Sequence, residues 1–573
     1  MKVSSRLIRH LKLTKRSYGG VSTGVINGKR VGAMKLGVAY YPEHNKREHW
    51  GRDLEQMKGA GIERVRIAEF AWSRMEPDNG AFEWAWLDEF MALSMEYGME
   101  VILCTPTACP PIWLVEQHPD VLPVNDEGRR NVFGARQHRC YNSPSYLKYS
   151  LRIVEEMAAR YGKHPNAVAW QIDNEFGGEQ KRCYCDHCRA AFQSAMEAKY
   201  ESIGELNERW GNVFWSMEYQ TFAQIKTPMK YTADLSLKNN PSLEMEYWRF
   251  CSDAIVSYCS EQARHIRKHN DGAKRPITTN RFSLIWGDNV RWPDLMRDMD
   301  VAGIDLYSEK LHEIAFYADS NYSLKPGASW FIEYGPGVNN LRDGMLQLQG
   351  RGCDWMTIFK FKPFPFGQEQ GLQELVTLTG EPTDSYRVLE QWSAGPNMVE
   401  ESRDAMFAPS GVGMYYHFES SWAYTISLWG AQIHHRLHYP NYVIDTVYKS
   451  LYRENKAHRI VFSPDNLEGL HTLVVPLQIV HEPALEDALL RFAEKGGRLV
   501  VTTDLFQKNA ENVYLNDISR FYVEVFGLSS FIAKPLSEEP VQIRRSYGKG
   551  QVLLVKKDAT LAEWESVVNE LNL

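Results

Sequence analysis

The chain is poor in cysteine. Nine thiols in 573 residues are far too few for the disulfide framework of a small secreted domain. No run approaches ~18 uninterrupted apolar residues, which excludes a helical membrane span. Basic residues are not in excess: 65 Lys and Arg stand against 72 Asp and Glu, a net charge of −7, whereas a nucleic-acid partner would want a basic face. No glycine-rich phosphate loop follows any apolar run, so neither a nucleotide nor another organic cofactor is expected. Internal repeats and low-complexity tracts are missing too. Residues 1–33 lack something else, holding eight Lys and Arg but no Asp or Glu. They also lack the apolar core of ~7–15 residues that a secretory signal carries. They read as a disordered basic extension ahead of Met34. With no export signal, the expected compartment is the cytoplasm, where thiols stay reduced.

From Met34 onward, short apolar runs alternate with amphipathic helical stretches. The candidate strands are LGVAYYPE (36–43), RVRIAEF (64–70), EVILCTP (100–106), AVAWQIDNE (167–175), PITTNRF (276–282), VAGIDLYS (301–308), WFIEYGPG (330–337) and WMTIFKFKPF (355–364). Near-continuous apolar strands separated by helices imply parallel strands buried on both faces. Eight such units predict a (β/α)₈ TIM barrel over 34–400, with its largest insertion between strands 4 and 5. After about residue 400, HTLVVPLQIV (471–480), PALEDALLRFAEKGG (483–497) and RLVVTTD (498–504) read as strand, helix, strand. They predict a smaller flavodoxin-like α/β domain over 401–540. The segment 541–573 reads as a short hairpin around Gly548-Lys549-Gly550, closed by a helix.

A TIM barrel keeps its chemistry at the C-terminal strand ends. Glu43, Asn174, Glu175, Asn280, Tyr307 and Glu333 stand there. Glu175 and Glu333 each end an apolar strand and precede glycine, on strands 4 and 7 by count. Two carboxylates converging across the mouth are what retaining glycoside hydrolysis needs. One protonates the leaving oxygen while the other attacks the anomeric carbon, at a separation of about 5–5.5 Å. Fourteen of 17 tryptophans precede residue 400, and sugar C–H faces stack on aromatic rings.

The cysteines are unevenly placed. Cys183, Cys185 and Cys188 form C-x-C-x₂-C just after strand 4, which suggests a metal in a reducing compartment. Zinc wants four tetrahedral N or S ligands. Cys140, in the neighbouring loop, is the candidate fourth, and His187 is its rival. Four thiolates leave no open position, so such a site would be structural. Cys104, Cys251 and Cys259 read as small packed apolar groups, while Cys109 sits near the mouth.

Residues 34–400 resemble the catalytic domain of glycoside hydrolase family 42, the bacterial retaining β-galactosidases. The resemblance rests on GVAYYPEHNKREHW, RVRIAEFAWSRMEPDNGAFEW, TPTACPPIWL and WQIDNE. It implies that Glu175 is the acid/base and Glu333 the nucleophile of an enzyme that hydrolyses terminal β-D-galactosyl residues. It also implies that Arg136 supports the sugar site, that Asn174 contacts the 2-hydroxyl and that Tyr307 hydrogen-bonds the nucleophile. A Cys₄ zinc at Cys140, Cys183, Cys185 and Cys188, and a homotrimer built with help from the second domain, are further implications. Two positions depart from the family pattern. Leu341 stands where a pocket tryptophan is usual, and Glu369 is followed by Leu372 where a histidine is usual. These departures shift expectation toward β-fucosides or α-L-arabinopyranosides as near substrates, or toward a non-catalytic sugar-binding barrel.

Overall fold

A computed structural model describes residues 34–230, 239–270, 275–335, 337–371, 374–394, 409–426, 438–452, 457–528 and 542–572, together with a short backbone pairing of 25–26 with 29–30. The basic extension, the junction near residue 400 and Leu372 lie outside the described residues, apart from that pairing.

Eight strands make the first sheet: β1 Lys35–Ala39, β2 Arg64–Ile67, β3 Glu100–Cys104, β4 Ala167–Gln171, β5 in two halves (Ile277–Thr278 and Asn280–Arg281), β6 Ala302–Leu306, β7 Ser329–Tyr334 and β8 Cys353–Ile358. All pair in parallel with their sequence neighbours, and β8 returns to β1. The first half of β5 bonds β4 and the second half bonds β6, so the ring closes through Thr279. That is the TIM barrel expected. Its strands are runs such as EVILC and AGIDL, buried almost throughout, because helices cover one face and the barrel interior covers the other.

The interior is layered. Ile102, Ala169, Trp330, Ile332 and Trp355 form an apolar plug. Buried Arg66, Gln171, Asn280, Asp305 and Glu333 form a separate polar layer, joined by the hydrogen bonds and ion pairs detailed below. Gly303 on β6 permits the close approach of β5. A Cβ there would lie 2.5 Å from both Thr278 Oγ1 and the Thr279 carbonyl oxygen. The excursion between β4 and β5 carries helices Asp186–Lys199 and Ile203–Trp210 with their own small core around Phe192, Leu206, Trp210 and Tyr247. The 29-residue helix Pro241–His269 then returns the chain to β5.

The second sheet comprises β9 Pro409–Tyr415, β10 Ala457–Val461, β11 Thr472–Val475, β12 Arg498–Thr502, β13 Gln542–Tyr547 and β14 Gly550–Val555. Their order is β10-β9-β11-β12-β14-β13. The five parallel strands follow the flavodoxin order 2-1-3-4-5. The terminal hairpin joins this sheet: β14 pairs in parallel with β12 along its length, and only β13 runs antiparallel. Buried polar contacts tie the two sheets' units together. Arg249 donates two hydrogen bonds to Glu419, at 2.8 and 2.6 Å. Buried Asp319 accepts from Arg351, from the Tyr448 hydroxyl and from the His458 backbone N–H.

Candidate active site

The two glutamates emerge on opposite walls of the ring and converge. Glu175, Asp305 and Glu333 each present a carboxylate oxygen within 4.8 Å of the other two. Both glutamates are buried, each about 5 % exposed. The chain turns sharply to place Glu175: Asp173 and Glu175 both adopt left-handed backbone, at φ 54° and 44°. Such strain persists only where surrounding contacts over-determine it. Here Asp173 accepts from Thr107 at 2.6 Å and from Arg139, and its own N–H donates to Thr105 at 2.8 Å. The Glu175 N–H donates to Asn280 Oδ1 at 3.1 Å.

The electrostatics of the two carboxylates differ. Glu333 lies 2.7 Å from the Arg66 guanidinium and accepts a short hydrogen bond from the Tyr307 hydroxyl. Glu175 has weaker company, with Arg136 and Asn174 each donating at 3.4 Å. Burial first, and the nearby Glu333 charge second, push the Glu175 carboxyl up to about 8, against a smaller opposing pull from Arg136. Glu333 is therefore paired directly with a cation, while Glu175 keeps a proton at neutral pH.

A cavity of about 850 Å³ adjoins the Glu175 side of the pair through Arg136, although neither glutamate is among its lining residues. Arg136 and Glu369 line it, and its aromatic lining is Phe70, Phe133, Phe364 and Phe366 with His44 and His138. The expected tryptophans are not among these lining residues. Trp72, Trp170 and Trp355 are fully buried instead, as the barrel's need for large core side chains requires.

The four cysteines Cys140, Cys183, Cys185 and Cys188 meet in a buried cluster, their sulfurs all within 4.8 Å of one another. Cys140 Sγ lies 3.6 Å from Cys185 Sγ and 3.4 Å from Cys188 Sγ. That is too long for a disulfide and near the ~3.8 Å edge of a tetrahedron with ~2.3 Å metal–sulfur bonds. The Val124 N–H and Asn142 Nδ2 donate to Cys183 and Cys188 sulfurs at 3.4 and 3.3 Å, as outer donors to thiolate ligands do. The cluster can bind a metal. His187 points elsewhere, 3.7 Å from Asp120 with its side chain 44 % exposed.

The family model for the β-galactosidases of glycoside hydrolase family 42 matches residues 39–395. A β-galactosidase of Thermus thermophilus is 34% identical over 489 residues, covering 79% of this chain and 73% of its own. One from Haloferax lucentense is 32% identical, covering 84% and 74%. The solved β-galactosidase of Halorubrum lacusprofundi superposes with a TM-score of 0.82 at 26% identity, over 94% of this chain and 90% of that one. The chain belongs to glycoside hydrolase family 42.

Within this family 42 hydrolase the remaining expected residues fall as follows. Arg136 reaches Glu175, Glu179 and Glu369, at 3.4, 2.6 and 3.3 Å, so Glu369 is drawn to the site. Asn174 is buried against Glu175. Tyr307 has a half-exposed ring, while its hydroxyl touches Glu333. Leu341 is buried in the main core at the start of helix Leu341–Gly350, and it is not among the cavity's lining residues. Glu43 stands apart from the pair; its carboxyl oxygens are buried without a hydrogen-bond partner among the described residues, and burial pushes its carboxyl up to about 7. Cys104, Cys251 and Cys259 are buried, and Cys109 lines the cavity.

Three side chains of the cluster escaped the reading of the sequence. Arg66 grips both Glu333 and Glu69, Glu69 also accepts from the Tyr41 hydroxyl at 2.7 Å, and Asp305 completes the carboxyl cluster. A signal existed. Each is a charged residue within or just beyond a largely buried strand, where a buried charge needs a partner.

Proposed function

We propose that this hydrolase cleaves terminal β-D-galactosides with net retention, using Glu333 as nucleophile and Glu175 as acid/base. The observation that carries the reading is the close approach of two carboxylates in unlike surroundings, within 4.8 Å. Retention requires about 5–5.5 Å, whereas inversion leaves room for a water at about 6.5–9.5 Å. The Glu333 carboxylate attacks the anomeric carbon as the C–O bond to the leaving group breaks, and Glu175 delivers its proton to the departing oxygen. Esterification removes the Glu333 charge, so the Glu175 carboxyl falls in pKa and can take a proton from water in the second step. Asn174 is placed for the 2-hydroxyl, and Arg136 with Glu369 for the sugar's far edge. The core position of Leu341 favours tolerance of β-fucosides and α-L-arabinopyranosides, because a buried leucine offers the sugar neither a stacking face nor a donor.

The cysteine cluster is proposed to hold structural zinc, which would tie the loop after β3 to the excursion after β4. The barrel over 34–400 is taken as the catalytic unit. The second domain, with the terminal hairpin in its sheet, is taken as the support for a homotrimer, in a cytoplasmic enzyme. The test is a chromogenic β-galactoside assay with Glu175→Gln and Glu333→Gln as controls. Glu333→Ala should lose turnover and regain it with azide, giving the inverted glycosyl azide. Near-normal activity of Glu333→Ala without azide would refute the assignment.

A further inference from the structure

The mechanism leaves one buried carboxyl of the cluster without a role. Asp305 sits on β6, about 1 % exposed, within 4.8 Å of both glutamates. The two cations of the site are engaged elsewhere: Arg66 with Glu333 and Glu69, Arg136 with Glu175, Glu179 and Glu369. The contact Asp305 does make is to a neutral amide. Asn280 Nδ2 donates to Asp305 Oδ2 at 2.6 Å, while Asp305 Oδ1 is buried without a hydrogen-bond partner among the described residues.

Asn280 is the hub of a small network. Its Nδ2 also donates to Asn174 Oδ1 at 2.7 Å. Its Oδ1 accepts from the Glu175 backbone N–H at 3.1 Å and from Gln171 Nε2 at 3.0 Å. Only one orientation of the amide satisfies all four contacts, since a flip would set NH₂ against two donors. Asp305 accepts on the nitrogen side and so fixes that orientation. Asn174 must then accept through Oδ1 and keep Nδ2 as the donor facing the sugar.

We propose that Asp305 is a positioning residue that carries a proton at neutral pH and, as a neutral acid, locks Asn280 so that Asn174 and the backbone of Glu175 are held for the glycosyl ring. Three adjacent buried carboxyls repel one another when ionised, and of the three only Asp305 has no guanidinium of its own among the described residues, Arg66 pairing with Glu333 and Arg136 with Glu175. The charged or titratable groups facing Asp305 are Arg66 on β2, Cys104 on β3, Glu175 beyond β4, Arg281 on β5, Tyr307 beyond β6 and Glu333 on β7. Arg281 is turned to the Gly303 carbonyl at 3.0 Å and to Asn321. Burial, then Glu333 and Glu175, push the Asp305 carboxyl well above the ordinary range, consistent with the geometry. Neutrality has a use. An ionised Asp305 would add a second negative charge beside Glu175, next to that of Glu333, and oppose the build-up of anion there as Glu175 delivers its proton in the first step.

This rests on the roles proposed for Glu175 and Glu333, and the test separates the two. Asp305→Asn mimics a protonated aspartate, keeping the acceptor toward Asn280 and replacing O–H by N–H. In full-length protein labelled with ¹³C-aspartate, the infrared spectrum at pH 7 should lose one protonated-carboxyl band on Asp305→Asn. An unchanged band pattern would overturn the proposal, and this reading needs no turnover. With an aryl β-galactoside, Asp305→Asn should keep kcat/KM within about threefold and leave the basic limb of its pH profile in place. A fall of that limb by about one unit would mean a lost negative charge and would overturn it equally. Asp305→Leu removes the acceptor and should lower kcat/KM about tenfold or more on a 2-hydroxyl galactoside, but much less on its 2-deoxy analogue. Equal losses on both would break the link through Asn174.

Discussion

The high proton affinity of Glu175 should depend on the charge of Glu333, and Glu333→Gln exposes that dependence. The two carboxylates present oxygens within 4.8 Å of each other, and unit charges at about 5 Å and an effective dielectric constant near 20 interact by about 3.5 kcal/mol, or roughly 2.5 pKa units. That is an upper bound, because Arg66 lies 2.7 Å from Glu333 and already neutralises part of its field. Burial is the larger cause of the shift to about 8 and survives the substitution. The Glu175 carboxyl in Glu333→Gln should therefore titrate about 1–2 units below its wild-type value. The assay is a ¹³Cδ-glutamate NMR titration, with Glu175→Gln in the same background to assign the resonance. In the wild type, the same group should set the basic limb of kcat/KM near 8 for substrates with poor leaving groups. The sign for stability follows from proton counting. Between the ordinary glutamate value and about 8, the folded chain holds a proton that the unfolded chain has released. Stability therefore falls as pH rises through that window, and Glu175→Gln should flatten the fall. A Glu175 that still titrated at 8 or above in Glu333→Gln would refute the reasoning.

Other outcomes follow from the packing. Arg66→Met leaves Glu69 and Glu333 buried without their shared cation and should destabilise the fold by about 3–5 kcal/mol at neutral pH, read by denaturant unfolding. Gly303→Ala pushes a methyl group into the Thr279 carbonyl and should cost about 1–3 kcal/mol in the same measurement. Purified protein should contain about one zinc per chain, and Cys185→Ser should lower both the metal content and the thermal midpoint. Metal analysis well below one equivalent after mild purification would count against the cluster.

Much of this was legible before any coordinates. Periodicity alone placed all eight barrel strands, because strands buried on both faces must be nearly continuous apolar runs. Glu175 and Glu333 stood out as charges at the exits of such runs, and Cys183, Cys185 and Cys188 by spacing. What stayed hidden depends on distant partners. Arg66 meets residues 3, 105 and 267 positions away, at Glu69, Gln171 and Glu333, and the charge in RVRI signals a need for partners without naming them. Asp305 looked like one polar residue in a strand until Asn280 and the two glutamates surrounded it. That Cys140, and not His187, joins the other three cysteines depends likewise on side-chain direction. The aromatic lining came from loop phenylalanines because the tryptophans are mostly spent on core volume.

Arg136 lies four residues before Cys140, and Glu179 four before Cys183. The two loops, joined by the Arg136–Glu179 pair, therefore end in one clasp of sulfur, so an oxidant, or a chelator if the proposed zinc is bound, should slacken both together. Such an agent should disturb Glu175, the proposed proton donor, while leaving Glu333, the proposed nucleophile rooted in another wall, almost untouched. Partial inactivation by that route should fall hardest on substrates whose departing group needs a proton most.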